Sequence, residues 1–172
     1  MNMKKWSKAL LIGFSLLFII SCVFGQLENQ NTWYEVRVTS VIGGDTIQVH
    51  FIDEILPAGC ERNERVRLIG VDTPELFTTP PEYYAQEARD YINQFNQKTV
   101  LLEFDTVTAL RDRYGRLLAY VYYDIGIMPI NKQLIAGGYG YYYGVFAFEA
   151  ERMTDFKNAE NYARSNKNGL WN

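Results

Sequence analysis

From residue 33 onward the chain alternates apolar and polar side chains in short runs. Residues 33–42, from Trp33 to Ile42, have the period-two, β-branched character of a half-buried strand, and Gly43 and Gly44 stop it. A second strand is predicted over 45–51. The Gly-Gly pair then reads as a tight hairpin reversal with Asp45 at its exit, where a carboxylate could point out of the sheet end. A polar loop over 52–64, containing Pro57 and Gly59, leads to a third strand over 65–71. Pro80 and Pro81 mark 76–82 as irregular. The period then changes: Ala85, Ala88, Tyr91, Ile92 and Phe95 recur at the three- and four-residue spacing of an amphipathic helix over 83–97, whose aromatic stripe belongs to the core. Residues 99–104 and 117–123 supply a fourth and a fifth strand. Between them lies a turn, 111–116, that reads either as a Gly-centred hairpin with solvated charges or as a cluster of three arginines with a task. A short helix from Pro129 to Ala136 ends at Gly137 and Gly138. The tyrosine-rich stretch 139–143 follows, as strand edge, core rim or stacking surface. A last helix over 148–165 is predicted to bury Met153, Phe156, Ala159, Tyr162 and Ala163 before Asn168 and Gly169 stop it and Leu170 and Trp171 fold back onto the core.

Strands that come first through short turns, with helices interleaved late and no regular βαβ alternation, predict a small α+β domain. A curled five-stranded barrel with three helices fits this order better than a doubly wound sheet.

The first 32 residues change the picture. Lys4, Lys5 and Lys8 precede an apolar run over 9–20 that breaks at Ser21 and Cys22, the order of a secretory signal sequence. The run falls short of the roughly 20 apolar residues a spanning helix needs. The organisation expected is a signal peptide over 1–25, a linker over 26–32 and one domain over 33–172. Ile19-Ile20-Ser21-Cys22 also resembles a bacterial lipobox, which would end the signal at 21 and leave Cys22 as a lipidated first residue. Either route makes the protein exported, secreted or lipid-anchored at the cell envelope.

Charge and rare residues narrow the chemistry. Removing 22 residues takes three lysines and no acids, leaving 14 basic against 20 acidic residues, a formal charge near −6. Phosphate recognition in such a chain must be a local pocket, not a basic coat. The chain has one histidine, His50, in a strand pattern, and its two cysteines are Cys22 in the processed segment and Cys60 in a loop. Histidine–metal and cysteine–histidine chemistry therefore give way to carboxylates and arginines.

Those groups converge in the stretch from Arg67 to Glu75, where a buried strand runs into a proline-stiffened turn holding Asp72, Thr73 and Glu75. Thr73-Pro74-Glu75 would also serve as an ordinary helix opening. Two carboxylates, a carbonyl and a guanidinium close together can instead hold a divalent cation and a phosphate side by side.

The segments from Val41 to Thr46, from Arg67 to Glu75, from Asp112 to Arg116 and from Gly169 to Trp171 together resemble, in order, the staphylococcal nuclease family. The resemblance implies an OB-fold barrel with three helices and an endonuclease that hydrolyses DNA and RNA phosphodiester bonds with low sequence specificity, as a monomer. It implies that Asp45, Asp72 and the Thr73 carbonyl hold Ca2+, that Glu75 activates water, and that Arg67 and Arg116 grip the scissile phosphate. Arg113 and Tyr114 would touch a neighbouring phosphate, and Tyr142 or Tyr143 would supply a base-stacking ring. Gly43 departs from the family, which has an aspartate there, so the cation site should be weaker. The stretch from Phe51 to Arg65 is also longer than in the type member. A non-catalytic OB module that binds nucleic acid or a protein is the alternative, although Arg67, Glu75 and Arg116 are all retained.

Overall fold

In the computed structural model, which describes residues 33–124 and 128–172, the first strand, β1 (Trp33–Val41), buries Val36, Val38 and Val41. The inward phase slips from even to odd positions because the ladder shifts register between Val38 and Ser40, where an extra residue is taken up as a bulge. β2 (Thr46–Phe51) pairs antiparallel with β1 and with β3 (Asn63–Leu68). β5 (Thr99–Glu103) and β6 (Leu117–Tyr122) complete the circle: β6 runs parallel to β3, and β5 joins β6 to β1. The order β1-β2-β3-β6-β5 closes the five-stranded barrel the sequence pattern predicts, in the OB-type architecture the family resemblance implies. Closure gives each of the five strands two paired neighbours, and the inward faces fill with Val38, Val49, Phe51, Val66, Leu68, Leu102 and Leu117, all almost wholly buried.

β6 is buried on both faces, because Tyr120 turns outward against Phe148 and Phe156. Among the described residues three α-helices cover the barrel: α1 (Ala85–Asn93), α2 (Ile130–Ala136) and α3 (Ala150–Ser165). Asn131 of α2, fully buried, donates to the Ile69 and Ala119 carbonyls at 2.9 and 3.1 Å and accepts from Val121 N–H at 2.9 Å. Its amide is thus satisfied in the core, and it ties α2 to the turn that follows β3.

Several expected boundaries move, each for a local reason. The predicted third strand breaks at Gly70, whose φ of +73° turns the chain. A Cβ there would meet the Phe148 and Phe156 rings at 2.7 and 2.8 Å, so glycine is required. Val71 and Asp72 form a separate β4, paired with β7 (Tyr141–Tyr142). No helix opens at Thr73-Pro74-Glu75; α1 starts at Ala85 and ends before Gln97, whose N–H and side chain dock on the Val38 and Thr39 carbonyls. α3 starts later than expected because Glu149 takes the capping position, its N–H bound to Asp105. Tyr162 is 59% exposed, not buried. The packed stripe of α3 is narrow, and Tyr162 is turned about 100° from Ala163. Leu170 and Trp171 lie in a 3-10 turn (Gly169–Trp171) that docks on Gly138 and under Arg164, outside the core. The expected signal peptide, lipidation site and linker lie outside the described residues, and Trp33–Asn172 forms one compact unit.

Candidate active site

The β1–β2 turn presses into the barrel end: a Cβ on Gly44 would meet Thr73 Oγ1 at 2.7 Å and Ala88 at 2.9 Å. Close packing there carries Asp45 over the end of β3. Its Oδ1 accepts from Thr46 Oγ1 at 2.8 Å. Its Oδ2 accepts from Thr73 N–H at 3.2 Å and Thr73 Oγ1 at 3.3 Å, and pairs with Arg67 Nη2 at 3.1 Å. Arg67 stands opposite Thr46 in the β2–β3 ladder. Its Nη1 donates to the Leu68 and Val71 carbonyls, and its Nη2 also reaches Asp72 Oδ1 at 2.7 Å. One guanidinium therefore closes the Ile69-Gly70 turn and bridges two carboxylates. The Arg67 and Asp45 side chains are each only 13% exposed, whereas Asp72 is 48% exposed and faces solvent.

Glu75 sits just beyond, exposed, in a loop closed by two hydrogen bonds with Glu82, from Glu75 N–H to the Glu82 carboxylate and from Glu82 N–H to the Glu75 carbonyl. Loss of solvent and the nearby Asp45, Asp72 and Glu82 carboxylates push its carboxyl above the ordinary glutamate value, against the pull of Arg67. Asp72 is also raised, by burial first; Asp45 and Glu82 add to the rise, while Arg67 opposes it. Asp45 and Asp72 thus share one guanidinium, and with the Glu75 and Glu82 carboxylates near them the cluster offers oxygen donors alone and carries excess negative charge.

Arg116 joins from the β5–β6 side. Asp112 organises that turn: its carboxylate accepts Arg116 Nε at 2.7 Å and the Tyr114 and Arg116 amides at 2.9 and 3.0 Å. Burial alone would raise the Asp112 carboxyl, but these bonds hold it below the usual carboxylate range. Arg116 Nη1 then reaches Thr46 Oγ1 at 3.4 Å. Thr46 is the residue to which sequence reasoning assigned no role. It joins both arginine sites through Asp45, and only its position after an exit aspartate could have signalled this.

Arg113 and Tyr114 are exposed beside Arg116; Arg113 Nη2 donates to Tyr114 Oη at 2.6 Å, and both guanidinia lie within 5.4 Å of the Tyr114 ring centre. The two tyrosine candidates separate. Tyr142 pairs with Val71 and packs edge-on to Phe148 against the core. Tyr143 instead donates its N–H to the Gly70 carbonyl at 2.9 Å, with its ring beside exposed Phe146. His50 pairs with Asn63 across the β2–β3 ladder, and Cys60 is a free, half-buried thiol pushed up chiefly by burial. Arg111, in the turn that sequence alone could read as solvated, is engaged by Glu64.

The family model for staphylococcal nuclease homologues matches residues 65–172. The thermonuclease of Staphylococcus hyicus is 36% identical, over 79% of this chain and 80% of its own. An uncharacterized protein of Methanocaldococcus jannaschii is 31% identical over 81% of this chain and 72% of its own. Endonuclease YhcR of Bacillus subtilis is 30% identical over 81% of this chain, which spans only 11% of that longer protein. Relatives with these names support a nuclease activity. With its closed barrel, three helices and family-model match, the chain belongs to the staphylococcal nuclease family.

Proposed function

We propose that the protein is an exported, Ca2+-dependent nuclease that hydrolyses DNA and RNA phosphodiester bonds with low sequence specificity, acting as a monomer. The observation that carries this reading is the unbroken polar chain Asp72–Arg67–Asp45–Thr46–Arg116, which gathers cation-binding oxygens and two guanidinia at one barrel end.

The residues fit a hard cation. The donors are oxygens alone, and the lost hydration that chiefly raises Asp72 and Glu75, together with repulsion from the neighbouring carboxylates, is what a divalent ion relieves. Asp45, Asp72 and the Thr73 carbonyl would hold it. Among the described residues no three His, Cys, Asp or Glu side chains form a cage, so water would complete the shell. When bound, Ca2+ supplies a Lewis acid for a phosphoryl oxygen. Glu75, with its raised carboxyl, accepts a proton from the water that attacks phosphorus in line with the departing 5′ oxygen. Arg67 and Arg116 donate to the phosphate as its charge grows in the transition state. Arg67 already donates three hydrogen bonds within the protein, one of them to Asp72, and is ion-paired with Asp45 as well. Its grip on phosphate therefore depends on those carboxylates turning to another cation. Arg113 and Tyr114 serve a neighbouring phosphate, and Tyr143, more than core-packed Tyr142, a base.

The test is cleavage of DNA and RNA by the purified chain with Ca2+ or with excess chelator. Fragments are expected only with Ca2+, and undiminished cleavage in chelator sinks the reading. The basic, apolar start of the chain supports export. Mass spectrometry of the mature N-terminus distinguishes acylated Cys22 from an unmodified start at Gln26, and a start at Met1 rules out both processing routes.

A further inference from the structure

The arginine turn has a second anchor, outside the polar chain of the candidate site. Arg111 makes four hydrogen bonds with its guanidinium. Two go to the Glu64 carboxylate, at 3.0 and 2.5 Å, one to the Gly115 carbonyl at 2.7 Å and one to the Gly59 carbonyl at 2.8 Å. Glu64 lies on β3, on the strand that carries Arg67; its side chain is 7% exposed and also takes the Glu61 N–H at 2.8 Å. Burial alone would raise the Glu64 carboxyl, yet Arg111 and the Glu61 amide hold it below the usual carboxylate range, so the pair is ionised at neutral pH. One guanidinium thus joins β3, the long β2–β3 loop and the tip of the turn.

The acceptor on the turn is Gly115, the residue directly before Arg116. Its φ is +79°, and nothing lies within 4 Å of where its Cβ would be. The stem of the turn is fixed by backbone pairing of Leu118 N–H with the Leu110 carbonyl at 2.9 Å. Asp112, which holds Arg116, belongs to the turn and moves with it. Among the described residues beyond the turn, Arg116 reaches only the Thr46 hydroxyl, at 3.4 Å, the long limit of a hydrogen bond. The tip is therefore located on the barrel chiefly by Arg111.

We propose that Arg111, locked by Glu64, is a positioning residue that sets where Arg116 presents its guanidinium. The inference rests on the nuclease reading of the same site, and it assigns a role to two residues outside the phosphate and cation groups. Small displacements of such a donor are costly, because its hydrogen bonds must meet charge at a defined place.

The test uses the full chain and two readouts. The first is the Arg116 Nε–H resonance and the hydrogen exchange of the Gly115 and Arg116 amides, in wild type and Arg111→Met. A shifted resonance and faster exchange are expected; an unchanged pair overturns the proposal. The second is single-turnover cleavage of a short DNA at saturating Ca2+ in wild type, Arg111→Met, Arg116→Ala and the double variant. Arg111→Met is expected to slow cleavage about ten- to hundredfold while the half-saturating DNA concentration changes by less than about threefold, with no further loss on the Arg116→Ala background. Wild-type rates in Arg111→Met, or a full additive loss in the double variant, overturn it. Arg111→Met strands a buried carboxylate, so the same measurements are made on Glu64→Met/Arg111→Met, which removes both charges. The same loss of rate is expected there, and a wild-type rate overturns the proposal. If the wild-type chain does not cleave DNA, the nuclease reading falls, and the resonance and exchange data still decide the clamp.

Discussion

The two arginines proposed to meet phosphate are held by different kinds of structure. Arg67 grows from a barrel strand and is framed by backbone carbonyls and two carboxylates, and the turn it closes is pinned from below by buried Asn131. Arg116 rises from an exposed turn and is oriented by polar side chains, half-buried Asp112 within the turn and buried Thr46 beyond it. The first arginine is fixed by the same packing that folds the domain. The second is fixed by polar bonds around a turn outside the barrel core, so it can move without the barrel being repacked.

The largest expected effect separates the two directly. Arg67→Ala and Arg116→Ala should each lower single-turnover cleavage by about 10³-fold, the scale of a lost transition-state donor in a preorganised site. Arg67→Ala should also lower the urea midpoint more than Arg116→Ala does, because it unpairs Asp45 and Asp72 and frees the Leu68 and Val71 carbonyls, whereas Arg116→Ala unpairs Asp112 alone. Equal destabilisation by both variants breaks the comparison.

Glu75→Gln comes next. It keeps size and hydrogen bonding but cannot accept a proton, so turnover should fall about 10²-fold with DNA affinity, measured at matched Ca2+ and salt, nearly unchanged. Cleavage that survives intact would remove Glu75 from the mechanism. Asn131→Leu tests the frame beneath Arg67: it takes the side-chain partner from the Ile69 carbonyl and the Val121 amide, while the Ala119 carbonyl keeps the Ile69 N–H. A loss of about 3 kcal/mol in urea unfolding is expected, as for buried polar groups left unpaired. A neutral result would mean that the turn is pinned by Gly70 packing alone.

The arginine turn should instead respond to acid. Asp112 is held below its unfolded value by the Arg116 and turn amides, although burial opposes this. Its contribution is thus fully present above the unfolded carboxyl value of about 3.9 and is lost as pH falls through the lower folded value. Amide exchange at Gly115 and Arg116, corrected for its intrinsic pH dependence, should accelerate below about pH 4 while Asp112→Asn shows no such step. An equal step in the variant would assign the transition to another group.

How much of this was legible in the sequence follows the same division. Alternation in β1 and β2 and the helical spacing of Ala85, Ala88, Ile92 and Phe95 report directly on burial, so the barrel and α1 could be read. Asp45, Asp72 and Arg67 could be nominated because a strand ends in a short turn beside each carboxylate. The polar bonds that set geometry could not. Thr46, Glu64, Arg111 and Asn131 each act through a partner 10 or more residues away, and no local period encodes such a pairing. Tyr162 failed for the opposite reason: its spacing fits a buried stripe, but the width of that stripe is set by what α3 packs against.

The smallest expected effect sharpens the comparison at the well-framed arginine. Gly43 stands in the turn that carries Asp45, where the family places an aspartate. A Cβ built on it meets nothing within 4 Å, and its φ lies outside the left-handed region, so a side chain enters without strain. Gly44 beside it has no such room, with Thr73 and Ala88 under 3 Å from its Cβ. Gly43→Asp should therefore leave stability unchanged and add one negative charge near Asp45 and Asp72. Ca2+ affinity rises with nearby negative charge, and at a half-buried, partly salt-screened position the gain should be about threefold in the Ca2+ needed for half-maximal cleavage. Gly43→Asn supplies the same bulk without the charge and should not move it. A shift of equal size in both variants would trace the effect to turn stiffness, and no shift in either would mean that a carboxylate at 43 lies too far from the cation to matter.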